Sequence, residues 1–340
     1  MRSALGRDDN SGPQLAIAAG EAAEELGDYL AAAAAYTRAA LGTGPAQAAE
    51  AHLRIARVAW RQGRHDRALG EYKRARALGA EAGRADLEAR AENGVGVVHY
   101  TRGEYAQARA SYQLATTLAK DPVLLGQFQL NLGALAEMEG DLEGALSHYL
   151  RARAVFRDHS APTSETLALR NLGMIYADRQ EWDAAGDAYR QCLALSEAQG
   201  NRRMIADVLL NASEVLVAHS DFAGAVRNCQ LARSIYAELG DEMGRGEALR
   251  WQGHAHRKGG NMEAAEEALT EAILVAQRFR DRLLEAEASR EMAALHHPRG
   301  RRDAPRWRKR AVALFYELGA TRELTAMNAE LEPAHPPERE

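Results

Sequence analysis

Three asparagines, Asn131, Asn171 and Asn211, recur at intervals of 40 residues in this chain. A side-chain amide has one acceptor and two donors, so an asparagine can pair with both the C=O and the N–H of an extended peptide. A row of three would hold several residues of a peptide without reading its sequence. The alternative is that these asparagines bond to neighbouring helices and only fix the packing of the chain.

The asparagines lie within a longer repeat of about 40 residues. Each unit is marked by an alanine, with a small residue twelve positions earlier in all units but the eighth, where Met292 breaks the pattern, and in most units a tyrosine four positions later. A Gly-acidic dipeptide precedes the alanine in several units. Small residues let two helices approach closely, and the tyrosine fills the gap between them. A period of this length indicates stacked helix pairs rather than one enclosed core. The marker alanines are Ala32, Ala68, Ala108, Ala145, Ala185, Ala225, Ala265 and, weakly, Ala304.

The helical period divides the first helix of each unit into two faces. With the small residue placed at position 8, positions 2, 6, 9 and 13 fall on one stripe, while positions 4, 7, 8 and 11 face the second helix. Position 6 holds the three asparagines. In the other clear units it holds Ala18, Arg54, Gly94 and Trp251.

Arginines accompany this stripe. Arg54 and Arg57 lie on it in the second unit, and Arg170 and Arg250 directly precede position 6 in the fifth and seventh units. Because arginine pairs with carboxylate or phosphate through two parallel hydrogen bonds, we expect an acidic segment in the ligand. Trp251 is a candidate aromatic anchor. The alternative is that these residues are solvated surface charges, since acidic residues lie among them.

The repeat resembles the tetratricopeptide repeat family over roughly residues 13–318. The units of that family carry Leu-Gly-x2-Tyr, then Ala-x3-Phe/Tyr and then a small residue. The units here are mostly 40 residues rather than about 34 residues long, and they mostly lack the family's final proline. Long units of this kind resemble those of kinesin light chains, adaptors with Leu-Gly-Asn repeats and bacterial signalling or regulator sensor modules. The resemblance implies that the stripe lines a concave groove in which the three asparagines hold a peptide. The fifth unit matches most fully, with Leu172, Gly173, Tyr176, Trp182, Ala185, Tyr189 and Cys192.

We therefore expect an all-α protein, a right-handed superhelical solenoid of about eight antiparallel helix pairs. Residues 13–328 are expected to form seven clear repeats and a degenerate C-terminal capping repeat. Residues 1–12 are expected to be a flexible N-terminus, and residues 329–340 a disordered tail.

Composition limits the classes of function. The formal net charge of -5 gives no general attraction for nucleic acid. Two cysteines cannot form a disulfide framework, which fits a reducing compartment. Residues 1–12 have no apolar stretch of signal-peptide length, and no later segment approaches the 18 apolar residues of a membrane span. We expect a cytoplasmic protein that does not contact a membrane.

Other signals are weaker. Residues 296–310 are basic, but no nucleic-acid motif accompanies them, so we do not expect nucleic acid as a partner. His254 and His256 point to different faces of a helix, and no histidine or cysteine spacing is typical of zinc. No catalytic or dinucleotide motif is present in its required context. We expect no metal, no cofactor and no enzymatic activity.

The sequence thus predicts a scaffold or adaptor that binds an extended peptide or helical segment of another protein in its groove. The alternative is a sensor module whose superhelix closes on a small peptide or metabolite to control a signalling or transcription partner. The sequence predicts no oligomeric state. The expected peptide-binding residues are Asn131, Asn171, Asn211, Arg170, Arg250, Trp251, Arg54 and Arg57.

Overall fold

A computed structural model describes residues 11–296 and 304–331. These ranges form seventeen α-helices and no strand, which confirms the all-α class. The chain divides into two compact units, residues 1–168 and residues 169–340, and the division falls within α9 (Pro162–Asp178). The other helices of the first unit are α1 (Ser11–Glu25), α2 (Tyr29–Ala40), α3 (Pro45–Arg61), α4 (His65–Glu81), α5 (Ala85–Thr101), α6 (Tyr105–Leu118), α7 (Pro122–Met138) and α8 (Leu142–Asp158).

The second unit repeats the same arrangement of successive helices packed side by side. From α1 to α15, every odd-numbered helix is the first helix of a predicted pair and the next helix is its partner. Its helices after α9 are α10 (Trp182–Ala198), α11 (Arg202–Ala218), α12 (Phe222–Glu238), α13 (Glu242–Lys258), α14 (Met262–Phe279), α15 (Arg282–His296), α16 (Ala304–Leu318) and α17 (Thr321–Leu331).

Tight turns between paired helices explain the Gly-acidic part of the repeat. Gly140 has φ +80°, a left-handed conformation that glycine adopts without steric cost. Asp141 follows it as the N-cap of α8, and its Oδ1 accepts a hydrogen bond of 2.9 Å from the backbone N–H of Gly144. Asp28 begins α2 in the same way after Gly27, and Asp221 begins α12 after Ser220, which has the same left-handed conformation. The dipeptide therefore ends one helix and starts the next.

Close contact between a glycine and a tyrosine forms the centre of several pairs. All seven clear marker alanines are fully buried. A Cβ atom added to Gly173 would lie 2.2 Å from Cε1 of Tyr189, and one added to Gly133 would lie 2.5 Å from Cε1 of Tyr149. The prediction that small residues let the tyrosine fill the gap between the helices is confirmed.

The last repeat differs from the prediction. Ala304, the weak eighth marker, is only partly buried, whereas α16 buries Ala311, Leu314 and Phe315. The second helix of this pair is therefore not in the register that Ala304 suggests. An additional helix, α17, packs against α15 and α16 with Met327 fully buried. It covers the apolar end of the last pair.

The predicted ends of the array lie mostly outside the described residues. Residues 1–10 and 332–340 fall beyond them, so the predicted flexible N-terminus and disordered tail stay predictions there. Helices extend to Ser11 at one end and to Leu331 at the other, slightly beyond the predicted limits of the array.

Candidate functional site

The first helices of neighbouring pairs contact one another within each unit. This holds for α3, α5 and α7 in the first unit and for α11, α13 and α15 in the second. We call the stripe of positions 2, 6, 9 and 13 on these helices, and on α9, the first-helix face of its unit. Position 6 is half-buried at Arg54, Asn131, Asn211 and Trp251, while position 7 is buried at Leu132. The face is thus accessible to a ligand and also part of the contact between repeats.

A polar pocket of about 340 Å³ opens on the first-helix face of the first unit. Gly94, at position 6 of α5, contributes to it by its lack of a side chain: a Cβ there would lie 2.3 Å from Cε1 of Tyr72. The ring of Tyr72 therefore reaches this face from α4. The polar lining residues are Arg54, Arg57, Arg90, Asn93 and Gln127, and the apolar ones are Leu53, Tyr72 and Phe128.

Glutamates balance the arginines of the polar pocket. Arg54 contacts Glu21 and Glu50, and Arg90 donates a hydrogen bond of 2.6 Å to Glu50. Burial opposes the ionisation of Glu50, but the hydrogen bond from Arg90 and the two positive charges hold its pKa below the usual value. The Nε atom of Arg54 is buried and has no hydrogen-bond partner in the described part of the chain. Arg57 and Arg61 both pair with Glu24.

Asn131 lies in the first unit and is bonded to the preceding repeat. Its Nδ2 donates a hydrogen bond of 2.7 Å to Oδ1 of Asn93. This is the kind of contact that the packing alternative describes. One proton of Nδ2 and the Oδ1 atom of Asn131 are left for other partners.

Asn171 and Asn211 lie in the second unit. Both are half-buried, and neither amide has a hydrogen-bond partner within residues 11–296 and 304–331. They keep the full pairing capacity of a free amide. The Nη1 atom of Arg170, the residue beside Asn171, lies 3.8 Å from Oδ2 of Asp207, and Nε of Arg170 is buried without a partner among the described residues.

Arg250 is a buried cation rather than a free contact for a ligand. Its side chain bonds Glu247 at 2.9 Å and lies 3.3 Å from Glu287. The guanidinium stands 4.8 Å from the ring centroid of Trp251, a cation–π contact. Arg250 therefore positions Trp251, whose ring is half-buried and still accessible on the face.

Glu291 is a buried charge that the sequence reasoning missed. Arg257 donates to its Oε2 at 2.9 Å, His254 Nδ1 lies 3.0 Å from the same atom, and Arg290 lies 3.4 Å from Oε1. Burial opposes its ionisation, but the hydrogen bond from His254 and the neighbouring positive charges hold the pKa of Glu291 well below its usual range. Its spacing of 40 residues from Trp251 was the available signal.

The basic segment, the cysteines and the histidines form no further candidate site among the described residues. The basic segment 296–310 lies partly outside the described residues; within them, Arg310 donates to Glu285 at 2.8 Å. Cys192 and Cys229 are fully buried, and burial raises the pKa of both thiols to about 11. The described residues contain no group of His, Cys, Asp or Glu side chains that could hold a metal ion. They also include no helix of the length and apolarity that a membrane span requires.

Comparisons with known proteins agree with the repeat. Family models described as tetratricopeptide repeat match residues 47–121 and residues 168–203. No curated protein sequence matches this chain.

Several solved structures share the fold. The apo form of RapI is 14% identical with a TM-score of 0.69, over 92% of this chain and 88% of that chain. A Rap protein complexed with Competence and Sporulation Factor is 12% identical with a TM-score of 0.64, over 94% and 90% of the two chains. A signal-transduction ATPase with a tetratricopeptide repeat sensor from Pyrococcus horikoshii is 14% identical with a TM-score of 0.71. This last match covers 95% of this chain and 50% of that one. The repeat, the helix pairs and the two matching family models identify residues 47–121 and residues 168–203 of this chain as tetratricopeptide repeats.

Proposed function

We propose that this protein binds an extended acidic segment of a partner protein on its first-helix faces, with the polar pocket of the first unit as the anchor. The fold itself supports a protein-interaction or regulatory scaffold. The observation that carries the finer proposal is the buried Nε of Arg54, which has no hydrogen-bond partner in the described part of the chain although Arg54 lines the pocket. A buried donor without an acceptor is costly, and a ligand carboxylate beside it would remove that cost.

The glutamates around Arg54 do not prevent such binding. Glu21 has a side chain that is 48% exposed, so it can return to water when a ligand carboxylate takes its place. Glu50 is held by Arg90 as well and would stay. In this exchange the ligand carboxylate replaces the carboxylate of Glu21 on Arg54. The other hydrogen-bond donors of the pocket also bind the ligand, and this additional binding favours the ligand over Glu21.

Uncharged side chains of the polar pocket suit a peptide backbone. Asn93 uses its Oδ1 for Asn131 and keeps its amide protons, and Gln127 is exposed. Side-chain amides can pair with the N–H and C=O groups of an extended chain. The apolar residues of the pocket, Tyr72 among them, offer contact area for a neighbouring side chain of the ligand.

The second unit offers its own residues for an extended segment. We propose that Asn171 and Asn211 pair with peptide backbone there and that Trp251 packs against a side chain. Their partner-free amides and the accessible ring support this part of the proposal. Arg170 and Arg250 act beside them, the latter by holding Trp251. We propose no catalytic role for either unit.

Selection from a peptide library displayed on phage tests the proposal. The purified chain should enrich peptides with acidic residues, and Arg54→Gln should weaken their binding at least tenfold. Glu21→Gln, which removes the competing carboxylate, should tighten it. Arg109→Gln is the matched control, because Arg109 pairs with Glu139 outside the polar pocket. Enrichment of peptides without acidic residues, or binding that survives Arg54→Gln, would contradict the proposal.

A second candidate function is that of a sensor that changes shape on binding a small peptide or metabolite. The observation that favours it is the similarity in fold to a Rap protein complexed with Competence and Sporulation Factor and to an ATPase with a tetratricopeptide repeat sensor. Solution scattering with a selected peptide distinguishes the two functions. A radius of gyration that falls on binding supports the sensor, and an unchanged one supports the scaffold.

A further inference from the structure

A second pocket, of about 450 Å³, lies in the second unit between α10, α11 and α12. None of its lining residues on α11 belongs to positions 2, 6, 9 or 13, so the pocket is separate from the first-helix face. Most of its wall is apolar. The apolar lining residues are Trp182, Tyr189, Leu193, Val208, Leu209, Ala212, Val215 and Leu216.

Gly186 opens this pocket from the side of α10. It directly follows the marker Ala185, at the position that holds Val226 one repeat later. A Cβ at Gly186 would lie 3.5 Å from Cγ1 of Val215, an ordinary contact, and its φ is not in the left-handed region. Neither backbone geometry nor close packing requires glycine here, although glycine inside a helix is less favourable than alanine. The missing side chain leaves space between α10 and α11.

Ala212 opens the pocket from the side of α11. It occupies position 7, which holds Leu132, buried against α6, in the fourth repeat and Gln252 in the seventh repeat. Ala212 is only partly buried against the core around Tyr189. Two large side chains of the repeat pattern are thus absent at the same place, and their combined absence accounts for the pocket.

The polar residues of the pocket indicate which kind of ligand it can bind. Asn228 is half-buried, and its amide has no hydrogen-bond partner in the described ranges. The charged residues at the rim are already paired: His219 Nε2 lies 3.4 Å from Asp183, and Arg190 contacts Asp187. The pocket therefore offers one free amide and an apolar wall, but no unpaired charge.

We propose that this pocket binds a small, uncharged, largely apolar molecule with one hydrogen-bonding group. Ligand pockets of proteins have this composition, an apolar lining with few polar groups, and volumes of about 300–1,000 Å³. The hydrogen-bonding group of the molecule pairs with the amide of Asn228, and its apolar body takes the space left by Gly186 and Ala212. This inference does not depend on the peptide-binding function.

Calorimetric titration with 2-naphthol, an apolar ring system with one hydroxyl group, tests the inference. The wild-type chain should bind it with saturation at one site, and Gly186→Leu should weaken binding at least tenfold by filling the pocket. Ala212→Leu, which restores the leucine of other repeats, should do the same from the opposite wall. Asn228→Ala should weaken binding about threefold to tenfold, as expected for one hydrogen bond.

Val226→Leu is the matched control, because it enlarges the equivalent side chain one repeat later and outside the pocket. It should bind 2-naphthol like the wild type. Circular dichroism shows which filling variant is folded, and the folded one is used for the comparison. Absence of saturable binding to the wild type, or unchanged binding to a folded filling variant, would overturn the inference.

Discussion

Asn131 donates a hydrogen bond of 2.7 Å to Asn93 in the preceding repeat, so the two amides tie α7 to α5. Asn211 holds the same repeat position but has no partner within the described residues. We expect Asn131→Ala to lower the free energy of unfolding by about 1 kcal/mol, because it removes this bond and leaves Asn93 short of a partner. Asn211→Ala should change stability by less than about 0.5 kcal/mol.

Urea denaturation of the two variants measures this difference, and hydrogen exchange of α5 and α7 locates it. The effects on peptide binding should have the opposite order. Asn211→Ala should weaken peptide binding by the second unit and leave the folded fraction unchanged. If Asn211→Ala destabilises the protein as much as Asn131→Ala does, the packing alternative applies to both residues.

Two helix-interior glycines of neighbouring helices should respond in opposite ways to alanine. At Gly173 the new Cβ would lie 2.2 Å from the ring of Tyr189, so we expect Gly173→Ala to destabilise the protein by about 1–3 kcal/mol. At Gly186 the Cβ meets only an ordinary contact, and the better helix propensity of alanine should stabilise by up to about 1 kcal/mol. Thermal unfolding of both variants checks the signs. Equal shifts would show that the glycine–tyrosine contact does not control this packing.

The sequence was most informative where packing repeats itself. The marker alanines, the glycine–tyrosine contacts and the turns are all local features with one physical requirement per position, so their spacing predicts them. The register of α16 could not be read this way, because Ala304 matches the pattern only weakly while Ala311 and Leu314 occupy the core. A degenerate repeat has several apolar residues that satisfy the same spacing, and only packing against α15 and α17 selects among them.

The candidate site was less predictable, because several of its ion pairs join residues that lie far apart in the sequence. The stripe includes Arg54 and Arg57, and two of the glutamates that pair with them, Glu21 and Glu24, come from α1. Arg90 lies on the same stripe, at position 2 of α5, and its part in the pocket depends on Glu50, which lies 40 residues away on α3. The sequence predicts Arg250 as a ligand contact, but the structure buries it between two carboxylates.

The buried Glu291 should make the second unit sensitive to acid. Its pKa in the folded protein lies below the value of 4.5 that an unperturbed glutamate has. Its contribution to stability is therefore complete above that value and is lost as the pH falls from 4.5 toward the lower folded pKa. Glu291→Gln should cost about 3–5 kcal/mol near neutral pH, because it leaves buried cations without their carboxylate.

Denaturation of Glu291→Gln at a series of pH values below neutrality measures this effect. The variant should lose less further stability on acidification than the wild type does. Glu317→Gln is the control, because Glu317 forms an ion pair with Arg282 at a side chain that is 50% exposed. A control that loses as much stability as Glu291→Gln would exclude a special role for the buried carboxylate.

Glu214 should show the opposite pH dependence. It is half-buried, with no hydrogen-bond or ion-pair partner within the described residues, and burial followed by the charge of Asp178 raises its pKa above the usual 4.5. A carboxyl with a raised folded pKa destabilises the protein once it is ionised, so stability declines as the pH rises from 4.5 through the folded value. Glu214→Gln should remove that decline and raise the Tm near neutral pH, where Glu291→Gln lowers it. Equal Tm values for Glu214→Gln and the wild type near neutral pH would show that Glu214 is as well solvated as an exposed carboxylate.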